Sequence, residues 1–158
     1  MKRTINLALL IFGLIFSYST SVQGQDIKAG GGLAYGSEVE AIGIQVGGVY
    51  NITEEVSGAA DFIIFFPDGY DFWELNLNAH YDFYAEENVH VYGLAGLNYA
   101  TTKVDLIPSG SRSNSEIGLN LGGGAEFGLD FANIYTELKY VLGDADQLAI
   151  SAGLRFPF

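Results

Sequence analysis

The sequence predicts an all-β protein, an eight-stranded antiparallel up-and-down transmembrane β-barrel. Three observations point there: apolar residues alternate with polar residues or glycine along most of the chain, seven turn signals divide it into eight such runs, and aromatic residues gather at the ends of the runs. A two-residue period is what a strand with two unlike faces requires, because successive side chains point to opposite sides of the sheet. After Gln25 no window keeps a helical period.

The runs follow in order. The first carries Lys28, Gly30 and Gly32 on its polar face and reaches Tyr35. The second sets Ile42, Ile44, Val46, Gly48 and Tyr50 against Gly43, Gln45 and Gly47, and the third places Asp61 on the polar face and ends near Phe66. The fourth is the cleanest, with Trp73, Leu75, Leu77, Ala79, Tyr81 and Phe83 on one side and Glu74, Asn76, Asn78, His80 and Asp82 on the other. In the fifth, Val89, Val91, Ala95, Leu97 and Tyr99 oppose His90, Tyr92, Gly96 and Asn98. The sixth runs from Ile117 to Leu129, its odd positions apolar apart from Gly123 and its even positions glycine, Asn120 or Glu126. The seventh sets Ile134, Leu138, Tyr140 and Leu142 against Glu137 and Lys139, and the eighth sets Leu148, Ile150, Ala152, Leu154, Phe156 and Phe158 against Ser151, Gly153 and Arg155.

Turn chemistry separates them at Tyr35–Ser37, Asn51–Glu54, Pro67–Gly69, Ala85–Asn88, Pro108–Asn114, Asp130–Asn133 and Gly143–Asp146. None of these intervals holds a helix, so neighbouring runs pair antiparallel. Strands of about 11 residues, the length of a tilted membrane strand, leave room for short connections only.

Composition decides which face looks inward. A lipocalin-like barrel or a two-sheet sandwich buries its apolar face and covers the other with charge. This chain is 16% charged and holds 21 glycines in 158 residues, against about 25% and about 7% in average chains. The glycines fall mostly on the polar face, which suits a narrow interior, and the aliphatic face suits lipid. Aromatics band the two ends of the aliphatic face: Tyr50, Tyr81, Phe83, Phe127, Phe156 and Phe158 at one, Tyr35, Phe66, Trp73, Tyr99 and Tyr140 at the other. Such girdles belong at the two interfaces of a bilayer; Tyr35, Tyr50, Trp73, Tyr81, Tyr99 and Tyr140 are their anchors.

The N-terminus reads as a separate segment. Lys2 and Arg3 precede an apolar stretch from Leu7 to Phe16 and a small, polar stretch to Gly24, the order of a secretory signal peptide. Residues 1–24 are therefore expected to be removed, leaving a barrel of residues 25–158 with net charge −14. The absence of cysteine excludes a disulfide scaffold, thiol catalysis and a cysteine-ligated zinc. An acidic chain does not suit a nucleic-acid partner.

A signal segment, eight two-faced strands and a tail of Ile150, Ala152, Leu154, Phe156 and Phe158 ending on phenylalanine resemble the small outer-membrane barrels of the OmpA/OmpX type. The resemblance implies residence as a monomer in the outer membrane of a Gram-negative bacterium, contact with its lipid, and recognition of Leu154, Phe156 and Phe158 by the barrel-assembly machinery. Pro157 departs slightly from the pattern, and a missing N–H is tolerable at a strand end.

The candidate site is the lumen. Lys28, Asp61, Glu74, His80, Asp82, Glu126, Glu137, Lys139 and Arg155 all face inward by parity, where charges are costly unless paired. An eight-stranded barrel is just wide enough for side chains to fill, so the expectation is a polar network acting as a plug. Five acids against three bases would make a narrow channel prefer cations, which is the alternative. A lipid A-modifying enzyme is the second alternative, with His80 or His90, Asp82 or Glu74, and Ser57 or Ser151 as the serine-hydrolase candidates. The lumen hides these from lipid, so no catalytic residue, metal ligand or cofactor is expected. Loops at the end away from the termini carry Glu38, Glu40, Asp68, Asp71, Asp144 and Asp146, and the longest contains Ser109–Asn114; a surface ligand would bind there. The sequence thus points to a structural or surface-interaction role.

Overall fold

The structure, a computed structural model, describes residues 27–106, 110–144 and 146–158; the expected signal segment lies outside them. The strands are β1 (Ile27–Gly36), β2 (Ala41–Asn51), β3 (Val56–Phe65), β4 (Asp71–Glu86), β5 (Val89–Leu106), β6 (Gly110–Gly128), β7 (Asn133–Leu142) and β8 (Gln147–Pro157). Each pairs antiparallel with the next, and β8 pairs with β1 to close the ring.

The registers fix the shape of the barrel. From Ile27, stepping across paired residues leads through Tyr50, Gly58, Ala79, Ala95, Leu121, Tyr140 and Leu148, and Leu148 accepts a hydrogen bond from the N–H of Ser37. One circuit therefore returns to the first strand ten residues further along, from 27 to 37. With about 3.3 Å of rise per residue and about 4.8 Å between strands, that stagger tilts the strands by about 40°.

Parity sorts the residues as the alternation predicts. Ile42, Ile44, Leu75, Leu77, Leu97, Ile117, Leu119, Leu138 and Ile150 stand exposed on the outside, while Gln45, Glu74, Asn76, Asn98, Asn120, Glu126, Glu137 and Arg155 are buried inside. This distribution is the reverse of a water-soluble core. The aromatic positions fall on the outside at the two ends. At the end away from the termini Trp73 packs between Phe62 and Tyr99, with ring centroids 5.4 and 5.7 Å away.

Two local features depart from the sequence expectation. The register slips between Asp82 and Tyr84, so a bulge turns both Phe83 and Tyr84 outward. The expected loop at Pro108–Asn114 is mostly strand: Gly110, Ser111 and Arg112 pair with Leu106, Asp105 and Val104, and Ser113 and Asn114 pair with Lys103 and Thr102. These two strands outrun their neighbours, since β4 ends opposite Lys103 and β7 ends opposite Leu119. Beyond Lys103 and Ser113 the stretches Val104–Leu106 and Gly110–Arg112 form a two-stranded ribbon, and β6 is exposed at every residue from Gly110 to Ser115, so no apolar–polar alternation is required and the sequence signal disappears.

Candidate functional site in the lumen and at the outer rim

The registers place a small residue beside almost every large inward side chain. Arg155 lies opposite Gly30, Glu137 between Gly124 and Ser151, Lys139 between Gly122 and Ala149, and Tyr135 beside Gly153. A Cβ at Gly124 would come within 2.7 Å of the Tyr92 ring, and at Gly122 within 2.7 Å of the Lys139 Cα. Bulk thus comes from one strand and space from the next, so the long side chains can cross the lumen.

Arg155 is the hub of the half nearer the termini. Its guanidinium donates to Glu126 Oε2 at 2.9 Å, to Glu137 Oε1 at 2.6 Å and to the Tyr92 hydroxyl at 3.2 Å, and lies 4.0 Å from the centre of the Tyr135 ring. The Tyr92 hydroxyl donates to Glu137 at 2.6 Å, Asn133 donates to Glu126 at 2.6 Å, and Lys28 also bonds Glu126. Charge-assisted bonds of this kind are the strong ones. His80 stacks on Tyr92 at 4.5 Å, and Asp82 pairs with His90 Nδ1 at 3.0 Å.

Amides fill the middle. Tyr135 donates to Gln45, Gln45 and Asn76 donate to Asp61 at 3.0 and 3.1 Å, and Asn98 and Asn120 both donate to Asn76 at 2.9 Å. Further from the termini Lys139 stands 3.8 Å from Glu74, which also accepts a hydrogen bond from Gln147. Above them the lumen turns apolar: Ala34, Ala41, Ile63, Phe65, Phe72 and Ala100 pack together, with Val39 and Tyr70 against them. Two cavities of about 20 Å³ flank Arg155, one beside Asp61 and Gln45 and the other beside His80 and Lys28. Each has room for about one water.

All nine inward candidates line the lumen, but not as one cluster. Arg155, Glu126, Glu137 and Lys28 form one network, Lys139 and Glu74 another, Asp61 belongs to the amides, and Asp82 and His90 pair near the termini. Of the hydrolase set, Ser57, His80, Asp82 and His90 line one small cavity and Ser57 is the cross-strand partner of His80, but Asp82 bonds His90, His80 Nε2 has no partner, and among the described residues no serine hydroxyl bonds either histidine. Nor do three metal-ligating side chains gather among those residues.

Tyr92, Tyr135, Gln147 and the apolar lid were absent from the sequence-derived network. Parity carried their signal, since Tyr92 shares a face with His90, Tyr135 with Glu137, and Phe65 with Asp61. The tail side chains Leu154, Phe156 and Phe158 point outward, and the N–H of Phe158 donates to Ile27 at 2.9 Å beside the closing β8–β1 pair. Tyr35, Tyr50, Tyr81, Tyr99 and Tyr140 are exposed on the outside, and Trp73 is half-buried there.

A closed eight-stranded meander, apolar outside and polar within, defines the class of small membrane-type barrels. Solved structures of that class share the fold. The N-terminal β-barrel domain of Pseudomonas aeruginosa OprF matches with a TM-score of 0.69 at 18% identity, covering 86% of this chain and 100% of that one. Neisserial surface protein A matches at 0.66 and 20%, covering 84% and 96%. Ail, the attachment invasion locus protein of Yersinia pestis, matches at 0.58 and 22%, covering 82% and 96%. No protein-family model and no curated protein sequence matches the chain.

Proposed function

We propose that the chain is an outer-membrane barrel of a Gram-negative bacterium whose role is structural and surface-directed, with the termini on the periplasmic side and the β5–β6 ribbon outside the cell. The observation that carries this reading is the closed lumen. A path along the axis meets the Arg155 network, the amide layer and then the Phe65–Phe72 lid, whose rings are 5.6 Å apart. Such a filled interior supports a plug over the cation-channel alternative, and the lack of a serine–histidine hydrogen bond among the described residues supports a non-enzymatic role.

The apolar exterior and its aromatic ends support lipid contact, with Tyr35, Tyr50, Trp73, Tyr81, Tyr99 and Tyr140 as interface anchors. Leu154, Phe156 and Phe158 serve as the signal for barrel assembly, residues 1–24 direct export, and the barrel works as a monomer. What remains to meet another molecule is the outer rim. Ail is a surface barrel that has been crystallised with the heparin analogue sucrose octasulfate; the rim here instead carries Glu38, Glu40, Asp68, Asp71, Asp144 and Asp146, which suits a basic ligand.

The membrane reading is tested by gel mobility of the detergent-solubilised protein. A folded barrel should migrate differently before and after boiling; unchanged mobility in a protein that stays soluble without detergent overturns the reading. Planar-bilayer recording tests the plug, with no conductance steps expected.

A further inference from the structure

We propose that an apolar groove on the outside of β1–β4 seats an acyl chain of one phospholipid whose headgroup carries a primary ammonium; this rests on the membrane reading proposed above. The groove has a volume of about 680 Å³. It follows from the register and from the size of the outward residues. One row across the strands runs Ile27, Tyr50 and Gly58, and the next runs Ala29, Gly48, Ala60 and Leu77. Ala29, Gly48, Gly58 and Ala60 therefore form a shallow floor, Ile27 and Tyr50 wall it toward the termini, and Leu77 walls it on the far side. Lys28 and Asn78 border the same groove, but their side chains turn inward to Glu126 and Asn120. The surface left to a ligand is almost wholly apolar.

A bilayer does not leave such a hollow empty. An unfilled depression forfeits contacts for every atom that lines it, and small residues let a chain lie close against the backbone. The Tyr50 ring marks which part of a lipid enters. An amphipathic ring at the end of the aliphatic face belongs at headgroup level, and the groove extends from Tyr50 toward Leu77, on the hydrocarbon side of that ring. A hydrocarbon chain therefore fits along the floor while its headgroup emerges past Tyr50.

Charge chooses the headgroup. Past Tyr50 the polypeptide enters the β2–β3 turn, which exposes Glu54 and Glu55. Glu86, Glu87 and Asp130 are exposed at the other two turns of this end. Lys28 is held by Glu126, and among the described residues the exposed lysine and arginine, Lys103 and Arg112, lie at the opposite end on β5 and β6. An anionic headgroup is therefore repelled here and an ammonium is drawn in. The same carboxylates disfavour a second copy in the groove. Copies in one membrane share their orientation, so a twofold along the membrane normal would set Glu54 and Glu55 of both at one level, like charge facing like.

The test uses the full barrel reconstituted in nanodiscs of equal parts phosphatidylethanolamine and phosphatidylglycerol, then released into mild detergent and weighed by native mass spectrometry. One phosphatidylethanolamine should stay on each barrel, preferred about fivefold over phosphatidylglycerol, as exposed ion pairs allow. Gly58→Leu fills the floor at a position where an added Cβ has nothing nearer than Ile52 Cδ1 at 3.8 Å, and should lower retention about tenfold. Gly93→Leu adds the same bulk outside β5, where the nearest atom is 4.0 Å away, and should leave retention unchanged. Glu54→Gln with Glu55→Gln should keep the lipid and lose the preference. Equal effects of Gly58→Leu and Gly93→Leu overturn the groove, and equal retention of the two lipids by the unaltered barrel overturns the ammonium. A dimer in place of the lipid adduct overturns the choice of occupant. A released barrel that carries no lipid yet keeps its heat-modifiable mobility sinks this inference while the proposed function stands; mobility unchanged by boiling sinks the membrane reading itself.

Discussion

Replacing Arg155 by methionine isolates what the lumen network contributes. The guanidinium is buried and bonded to Glu126, Glu137 and Tyr92, so Arg155→Met leaves two buried carboxylates to be matched by what remains. Glu126 keeps Lys28 and Asn133, whereas Glu137 keeps only the Tyr92 hydroxyl at 2.6 Å among the described residues. The penalty should therefore fall on Glu137. Breaking one partner out of a buried pair costs about 3–5 kcal/mol, which is the destabilisation expected for Arg155→Met. Glu137→Gln alone leaves Arg155 with Glu126 and should cost about 2 kcal/mol, nearer the loss of a charged hydrogen bond. With both changes the orphan charge is gone, and the double variant should be more stable than Arg155→Met, which requires a coupling larger than the loss from Glu137→Gln alone, about 3 kcal/mol. The assay is equilibrium unfolding by urea in detergent micelles, followed by fluorescence of Trp73, the chain's single tryptophan. Additive losses, or a double variant no more stable than Arg155→Met, would refute the claim that Glu137 depends on Arg155.

Other measurements test the rest of the architecture. Gly122→Val drives a side chain against the Leu138 carbonyl and the Lys139 Cα and should cost at least the about 1–3 kcal/mol of core overpacking; Gly93→Ala, which faces outward with its nearest neighbour 4.0 Å away, should leave the urea midpoint nearly unchanged. Thr53 Oγ1 accepts from the N–H groups of Glu55 and Val56 at 3.2 and 2.9 Å in the β2–β3 turn, so Thr53→Ala should lower stability by about 0.5–1.5 kcal/mol in the same unfolding experiment. Trypsin added to intact cells should cut after Arg112, exposed on the ribbon, and spare Lys28, Lys139 and Arg155 in the lumen. Mass spectrometry reads the sites, and cleavage only after the cells are broken would reverse the orientation.

The faces were legible in the sequence because a closed barrel forces every strand into the same period of two. The pairings inside were not. Lys28 meets Glu126 and Tyr135 meets Gln45 across separations of 98 and 90 residues, and which residues share a level depends on the ten-residue stagger, which no local pattern encodes. The extent of β6 was hidden for a different reason. Ser111, Arg112, Ser113 and Asn114 are all exposed, so the polar run that usually marks a loop is here the surface of a strand. The bulge after Asp82 was also invisible, since Phe83 and Tyr84 both tolerate the outside.

Glycine and charge, the two compositional oddities of the chain, turn out to be one device. A barrel of eight strands has too little interior for a large side chain from every inward position. Setting Gly30 beside Arg155, Gly122 beside Lys139 and Gly124 beside Glu137 gives each long group an empty neighbour to lean across. That crossing lets Arg155 reach carboxylates on β6 and β7 and the hydroxyl of Tyr92 on β5 at once. Widening the lumen for transport would separate these partners and leave buried charges unmatched, a cost of several kcal/mol for each. On the proposed reading, the geometry that stabilises the barrel also keeps it closed, and contact with other molecules falls to the rim, where the ribbon and acidic turns are free of that constraint.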